Sequence, residues 1–437
     1  MGCDDTRAYA LVARLVPLTG LSSGDDLMDL RRHLEEYAWH GGAGLFAEPR
    51  RTRVESFEAD GRRVPRFVNE YWTSGQRGGH PLHEISYRAC FKAELPRFFI
   101  ERLTKPGSLV YDPFMGRGTT VLEAALLGRR VAGNDVNPLS ELLLRPRLDP
   151  PTQRAVEERL AEIVPATEGT AEIDLSMFYS PATEVLIVGL RGYLQGRAAD
   201  GVEDAVDRWI RMVATNRLTG HSPGFFSVYT LPPNQAVSAE SQRKINERRG
   251  QTPPDRDVWR IIARKSASLL RGVTGTDRER LAEARARLFR VDSAGRSPLE
   301  DGCVDLVVTS PPFLDVVQYA TDNWLRCWFN EIDADEVDAR MTTPKSVDEW
   351  AGAMQAALAE LARVVRPGGW VAFEVGEVRG GKLLLDEVVA PLGPRVGLEC
   401  LGVVVNDQEF TKTANCWGVR NNRKGTNTNR IVVLRKV

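Results

Sequence analysis

The stretch SLVYDPFMGRGTTVLEAALLGRRVAGNDVNP, residues 108–138, sets the reading of the whole chain. Its first part, SLVYDPF (108–114), is a short apolar run suited to a buried strand. TTVLEAALLGRR (119–130) has helical spacing and closes at Gly128. RVAGNDVNP (130–138) reads as a second strand. Strand, loop, helix and strand within about thirty residues is the rhythm of a parallel, doubly wound sheet, so the expected fold class is α/β.

The loop between the first strand and the helix is YDPFMGRGTT (111–120). Gly116 and Gly118 let the backbone turn tightly and approach a ligand closely. The helix starting near Thr119 aims its free N–H groups at that place. The third glycine of a dinucleotide fingerprint is missing, since Val121 stands there, and no Gly-Lys-Ser/Thr follows. These absences weigh against a nicotinamide oxidoreductase and a nucleoside-triphosphate loop. Asp135 ends the second strand, 17 residues after Gly118. It has two readings: a carboxylate that accepts both hydroxyls of a ribose, or a cap on the turn before Asn137-Pro138. On the first reading the pocket takes an adenosine-type cofactor.

Working outward, residues 84–103 read as a helix ended by Lys105-Pro106-Gly107, and Asp25 to Tyr37 as another. Residues 1–80 carry no motif and are taken as an N-terminal extension. After 149 the sheet rhythm stops. Residues 150–280 are mostly helical, with an irregular segment at 220–238. Strands resume at 286–293 and 304–310. A helix at 348–365 is stopped by Arg366-Pro367-Gly368-Gly369. A strand at 370–375, a helix at 382–392 and strands at 398–405 and 430–436 complete the pattern. The expectation is one α/β domain in two parts, 81–149 and 281–437, with a helical insertion at 150–280.

The strand at 304–310 ends unusually: VDLVVTSPPFLDV (304–316) runs into Thr309-Ser310-Pro311-Pro312-Phe313. With DPFMGRGTT and GNDVNP upstream, TSPPF resembles the S-adenosylmethionine-dependent DNA amino-methyltransferases, which methylate the exocyclic amine of cytosine or adenine. The resemblance covers roughly 81–140 and 285–437. It implies a Rossmann-like class I methyltransferase fold with a mostly parallel seven-stranded sheet, and S-adenosyl-L-methionine as cofactor. It places catalysis on Ser310, Pro311, Pro312 and Phe313. It places cofactor binding on Asp112, Pro113, Phe114, Gly116, Gly118, Thr119, Thr120, Asp135, Asn137 and Asp292. Asp292, ending the third strand, either meets the adenine ring or caps its own loop. The segment at 83–100 precedes the first strand, where related enzymes touch the methionine end of the cofactor.

The chemistry of such a family needs these residue types. An exocyclic amine is a poor nucleophile because its lone pair is delocalised into the ring. The Ser310 hydroxyl and the Pro311 carbonyl can accept its two N–H groups and stabilise the positive charge that develops in attack. Two prolines fix the loop and leave carbonyls unpaired. Phe313 offers a face on which a flipped base stacks. Methylation at cytosine C5 needs a Pro-Cys nucleophile, and no Pro-Cys occurs. In the family, serine at the first position leans to cytosine N4 and aspartate to adenine N6. Adenine-N6 in DNA and guanine-N2 in RNA stay open as alternatives, as does a binding module without turnover.

Net charge is −1 over 437 residues, yet residues 207–271 and 411–437 each carry +7. Two basic segments on an acidic body fit local contact with a polyanion, or solvated helix faces. Arg243, Lys244, Arg248, Arg249, Arg420, Arg423 and Lys424 are the candidate nucleic-acid contacts, with double-stranded DNA as the expected partner. Residues 150–280 are the candidate target-recognition region. Asn234, Gln235, Gln242, Arg243 and Asn246 are of types that read base edges. The resemblance also admits a restriction endonuclease acting on the same site as a partner. Six scattered cysteines form no Cys-x-x-Cys pair, so no metal is expected. No apolar run approaches the roughly 20 residues of a membrane span, and the N-terminal stretch shows no signal peptide, which points to the cytoplasm. Met1-Gly2-Cys3-Asp4-Asp5-Thr6 fits the myristoylation pattern only on paper.

Overall fold

The structure is a computed structural model that describes residues 25–39, 49–72, 79–88, 90–231, 236–312, 314, 319–341, 344, 346–379, 381–407 and 428–437. The first elements are α1 (Asp25–Glu36), a small ladder of β1 (Ala38–Trp39) with β2 (Arg50–Arg51), and a hairpin of β3 (Arg53–Ala59) and β4 (Arg62–Asn69). Then come α2 (Glu94–Leu103), β5 (Leu109–Asp112), α3 (Thr119–Leu126), β6 (Arg130–Asn134) and α4 (Pro138–Leu148). Six helices follow without an intervening strand among the described residues. They are α5 (Gln153–Glu162), α6 (Pro181–Ala199), α7 (Ala205–Arg217), α8 (Ala239–Arg249), α9 (Val258–Leu270) and α10 (Gly275–Glu283). The sheet resumes with β7 (Arg287–Phe289) and β8 (Val304–Thr309), followed by α11 (Tyr319–Phe329), α12 (Ala334–Arg340), α13 (Val347–Val364) and β9 (Val365–Val375). A short pair, β10 (Glu377–Val378) and β11 (Leu383–Leu384), leads into α14 (Leu385–Val389), α15 (Leu392–Arg395), β12 (Leu398–Asp407) and β13 (Thr428–Lys436).

The main sheet has nine strands in the order β3-β4-β12-β13-β9-β8-β5-β6-β7. From β9 to β7 every neighbouring pair is parallel, and β13 runs antiparallel to both β9 and β12. Those seven strands are the mostly parallel sheet that the resemblance implies. The β3–β4 hairpin extends it to nine by a parallel pairing of β4 with β12. The Arg-rich segment around 43–66 gives no strand signal of its own. Its charge is neutralised from far away: Arg66 donates to Asp386 Oδ2 at 2.9 Å and to Glu387 Oε1 at 2.6 Å, and lies over the Phe57 ring.

The inner strands are buried on both faces, which is why they read as continuous apolar runs. Leu306 and Val308 of β8, Trp370 and Ala372 of β9, and Ile431 and Val433 of β13 pack into one core layer. Val304 and Val307, Val371, Phe373 and Val375, and Val432 and Leu434 pack into the other. Helices α5, α6, α7, α9 and α10 join the first layer, where the Trp209 indole N–H donates to Ser266 Oγ at 3.0 Å and ties α7 to α9.

The segment upstream of β5 differs from the expected helix over 84–103. Pro81–His83 is one 3-10 turn, 84–88 is irregular, and α2 begins only at Glu94. Pro96 therefore sits in the first turn of α2, where a missing N–H costs nothing. Downstream, Leu383–Leu384 forms strand β11 rather than the start of a helix, and β9 begins at Val365, within the stretch expected to end α13.

Candidate active site

Two loops at the same edge of the sheet build the site. The first leaves β5 at Asp112 and enters α3 at Thr119, with Gly116 at φ +49° and Gly118 at φ +78°. The left-handed region is the conformation that glycine supplies at least cost. At Gly118 space matters as well, because a Cβ would lie 2.6 Å from Leu144 Cδ1. At Gly116 a Cβ would meet only Tyr87, at 3.7 Å, so backbone conformation alone demands the glycine.

Asp135 follows β6 and holds this loop. Its Oδ2 accepts the Gly116 N–H at 2.9 Å, and its Oδ1 accepts the Asn137 N–H at 2.9 Å. Asp135 thus caps the turn and also lines the cleft. Burial raises its pKa, against the pull of those two N–H groups. Asn137 accepts the Leu139 N–H at 3.0 Å and caps α4.

Loop residue Arg117 anchors the irregular segment upstream. Its guanidinium donates to the carbonyls of His83 (3.2 Å), Ile85 (2.6 Å) and Phe91 (3.3 Å). The wholly buried Arg147 of α4 donates to the carbonyls of Leu82, Leu143 and Arg117. These bonds hold Tyr87 against the cleft.

The second loop leaves β8, which lies between β5 and β9. The Thr309 hydroxyl donates to the buried Asp112 Oδ1 at 2.7 Å, and the Thr120 hydroxyl donates to the Val308 carbonyl at 3.0 Å. Ser310 donates to Glu374 Oε2 on β9, whose Oε1 accepts the Asn429 amide at 3.0 Å. The Trp350 indole N–H donates to the Pro312 carbonyl at 2.9 Å. Burial pushes the carboxyls of both Asp112 and Glu374 up to about 7. Phe313 lies outside the described residues.

Both loops line one cleft of about 930 Å³, counting the part open to solvent. Of the residues expected from sequence, Pro113, Phe114, Gly116, Asp135, Asn137, Asp292, Ser310 and Pro312 line it. Asp112, Thr119 and Thr120 are buried behind its wall, with Gly118, and Pro311 is buried beside Pro312. Asp292 lines the cleft while its Oδ1 accepts the Ala294 N–H at 2.9 Å, capping its own turn. Trp350, Met354, Arg340 and Tyr87 also line the cleft. The sequence reading set the 83–100 segment that holds Tyr87 near the cofactor but missed the other three, because an indole on an amphipathic helix looks the same whether it faces a core or a cleft. Glu374 was missed too, although one acid inside WVAFEV is a visible break in an apolar run.

Of the nucleic-acid candidates, the four on α8 are exposed. Arg243 pairs with Asp174 at 2.6 Å and Lys244 with Glu240 at 2.5 Å. Arg249 lies over the Tyr229 ring, 3.9 Å from its centroid, and Arg248 has no ion pair among the described residues. Two residues of base-reading type are used internally. Gln242 is buried and donates to the Tyr229 carbonyl and Asn246 Oδ1, and Asn246 donates to the Met177 carbonyl. Asn234, Gln235, Arg420, Arg423 and Lys424 lie outside the described residues. The register pairs Asp407 with Thr428 and Arg430 with Val375. The strand ends flanking 408–427 therefore sit at the edge that carries the two site loops. No cluster of three potential metal ligands occurs among the described residues, and no described helix is long and apolar enough to cross a membrane.

A family profile described as DNA methylase matches residues 51–140, from the β3–β4 hairpin to the start of α4. The chain is 39% identical over 67 residues to the Type II methyltransferase M.MvaI of Kocuria varians, covering 15% of each protein. It is 38% identical over 64 residues to the Type II methyltransferase M.BsoBI of Geobacillus stearothermophilus, covering 14% of this chain and 13% of that one. The matched segment is thus a small part of each curated relative. Among solved structures, the rRNA methyltransferase aviRa of Streptomyces viridochromogenes aligns with 13% identity and a TM-score of 0.33, over 84% of this chain and 96% of that one. Residues 51–140, which hold the glycine loop and Asp135, match the DNA methylase profile, and over short stretches the chain is similar to Type II methyltransferases.

Proposed function

We propose that the chain transfers a methyl group from S-adenosylmethionine to the exocyclic N4 amine of cytosine in DNA. One observation carries this reading: the Gly116–Asp135 wall and the Ser310–Pro312 loop face the same cleft. A cofactor held by the first is within reach of an amine held by the second.

The residues present fit an adenosine-type cofactor. Each Asp135 oxygen accepts one backbone N–H and keeps a lone pair, enough for the two hydroxyls of a ribose. Asp292 and Ser293 offer polar groups at the end of β7, and Phe114 offers an apolar face. When bound, the cofactor supplies an activated methyl sulfonium, so the protein's own task is mainly positioning. Ser310 Oγ and the Pro311 carbonyl accept the two amine hydrogens. Trp350 engages the Pro312 carbonyl and so restrains the turn in which Pro311 sits. The neutral hydroxyl at position 310 favours cytosine in this family pattern.

The test is incubation of the full chain with duplex DNA and methyl-labelled cofactor, followed by nuclease digestion and chromatography. Label in N4-methylcytosine is expected. Label in N6-methyladenine alone overturns the choice of base. Label in RNA but not in DNA overturns the choice of nucleic acid.

A further inference from the structure

The geometry points to Glu374 as the positioning residue that fixes the direction of the Ser310 hydroxyl and accepts, through it, the proton released by the target amine. This inference rests on the methyl-transfer reading above.

Glu374 is placed by strand periodicity. Side chains alternate along a strand, so it shares the face of Trp370 and Ala372 on β9. The register pairs Thr309 with Phe373, which sets Ser310 and Glu374 on the next rung of two neighbouring parallel strands. The Ser310 hydroxyl donates to Glu374 Oε2. A hydroxyl has one proton and two lone pairs. With its proton committed behind it, Ser310 can meet an amine in the cleft only as an acceptor. Without Glu374 the hydroxyl is free to rotate and donate, which would oppose attack.

Among the described residues, Glu374 has hydrogen-bond partners and no ion-pair partner. It is buried, and its described partners are Ser310 and Asn429, both neutral. No described cation pairs with it. Arg430 on the neighbouring strand faces Asp386 and Glu377, and the buried Asp112 is bonded to Thr309 and the Phe114 N–H. Burying a carboxylate opposes folding, so the presence of Glu374 behind the catalytic loop calls for a use.

The step balances. The amine nitrogen forms a bond to the methyl carbon, and the carbon–sulfur bond breaks with its electron pair passing to sulfur. The nitrogen sheds one proton to Ser310 Oγ as the serine proton moves to Glu374. A sulfonium and a carboxylate become a neutral thioether and a neutral carboxylic acid.

The experiment uses the full chain with Glu374→Gln, Ser310→Ala and the double variant, in single-turnover transfer to duplex DNA. Glutamine keeps the size and an acceptor oxygen for Ser310. The expected result for Glu374→Gln is a roughly 10²-fold slower chemical step and cofactor affinity within about twofold of wild type. The rise of the rate with pH near neutrality that is expected of wild type should be lost in this variant. The double variant should be no slower than Ser310→Ala, because Glu374 acts through the serine. Thermal unfolding of the ligand-free protein from about pH 5 to 8 is a readout without activity: the drop with pH attributed to Glu374 should vanish in the glutamine variant. An unchanged rate and pH profile, slowing that multiplies with Ser310→Ala, or an unchanged unfolding profile each overturns the inference while leaving methyl transfer standing. If the wild-type chain methylates no nucleic acid, the parent reading fails and takes the relay role with it, even where the unfolding difference remains.

Discussion

Thr309 Oγ1 donates to Asp112 Oδ1 at 2.7 Å, and both groups are buried. The last residue of β8 is thereby bonded to the last residue of β5, so the two site loops share one support. Next along the chain, Ser310 makes the same kind of bond to Glu374 on the other side. Adjacent hydroxyls thus divide between two buried carboxyls on the flanking strands.

Thr309→Val keeps the shape of the side chain and removes its proton. Asp112 Oδ1 would retain the Phe114 N–H at 3.1 Å as its remaining backbone partner. The expected loss is ~1–3 kcal/mol of unfolding free energy, the cost of leaving a buried polar group under-satisfied. Urea denaturation measures it, and a loss below that range would show that the bond contributes little.

Asp112 and Glu374 give stability a defined pH dependence. Burial raises both pKa values to about 7. A carboxyl whose folded pKa lies above its unfolded value holds its proton better when folded, so its contribution is greatest at low pH. That contribution is lost as pH rises from about 4 to about 7. Asp112→Asn or Glu374→Gln should therefore flatten the profile relative to wild type, each by up to ~3 kcal/mol between those limits. Equilibrium unfolding at stepped pH checks this, and parallel profiles would refute it.

The two loop glycines should separate by variant. Gly118→Ala faces both a left-handed backbone and Leu144 at 2.6 Å, and should lower the unfolding midpoint clearly. Gly116→Ala meets only an ordinary contact with Tyr87, so its stability cost should stay near the ~1–2 kcal/mol of backbone strain. Its N–H is the one that Asp135 holds, so cofactor affinity should suffer more than stability. Calorimetric binding alongside thermal melts distinguishes the two.

Trp350→Phe keeps an aromatic ring in the cleft and deletes the donor to the Pro312 carbonyl. Turnover should fall about tenfold, the effect of ~1.4 kcal/mol in the barrier, with cofactor affinity little changed. Steady-state kinetics against direct binding tests this. A loss confined to cofactor affinity would move Trp350 to the other end of the cleft's chemistry.

Arg248 and Arg249 of α8 have no ion pair among the described residues, but Arg249 lies over the Tyr229 ring and donates to Gln251, whereas Arg243 and Lys244 are each paired. If α8 contacts phosphates, Arg248→Ala should reduce the slope of log affinity against log salt by about 1. Fluorescence anisotropy with duplex DNA at several salt concentrations reads this, and an unchanged slope removes α8 from the contact surface.

The α/β class and the glycine loop were readable along the chain because their signals are local. A doubly buried parallel strand is a short apolar run, a left-handed turn calls for glycine, and a helix start leaves N–H groups free. Ser310, Pro311 and Pro312 stood out for the same reason, since residues that end a strand this way announce a loop. Everything that depended on a partner far along the chain was out of reach. The β3–β4 hairpin lies in the extension that carried no motif, and its Arg66 is met by Asp386 and Glu387 from far along the chain. Residues 84–93 looked helical, but the carbonyls of Ile85 and Phe91 are held by Arg117 and that of Ser86 by Arg326 instead of by a helix ladder. Gln242 and Asn246 had the chemistry of base readers and are spent on the carbonyls of Tyr229 and Met177. Glu374 gained its meaning from the register of β9 beside β8, which brings it to Ser310 across 64 residues of sequence. Propensity and turn chemistry act within a few residues and are written in the sequence. Burial and hydrogen-bond partnership are properties of the packed chain, and here they set which carboxyl stands behind the Ser310–Pro312 loop.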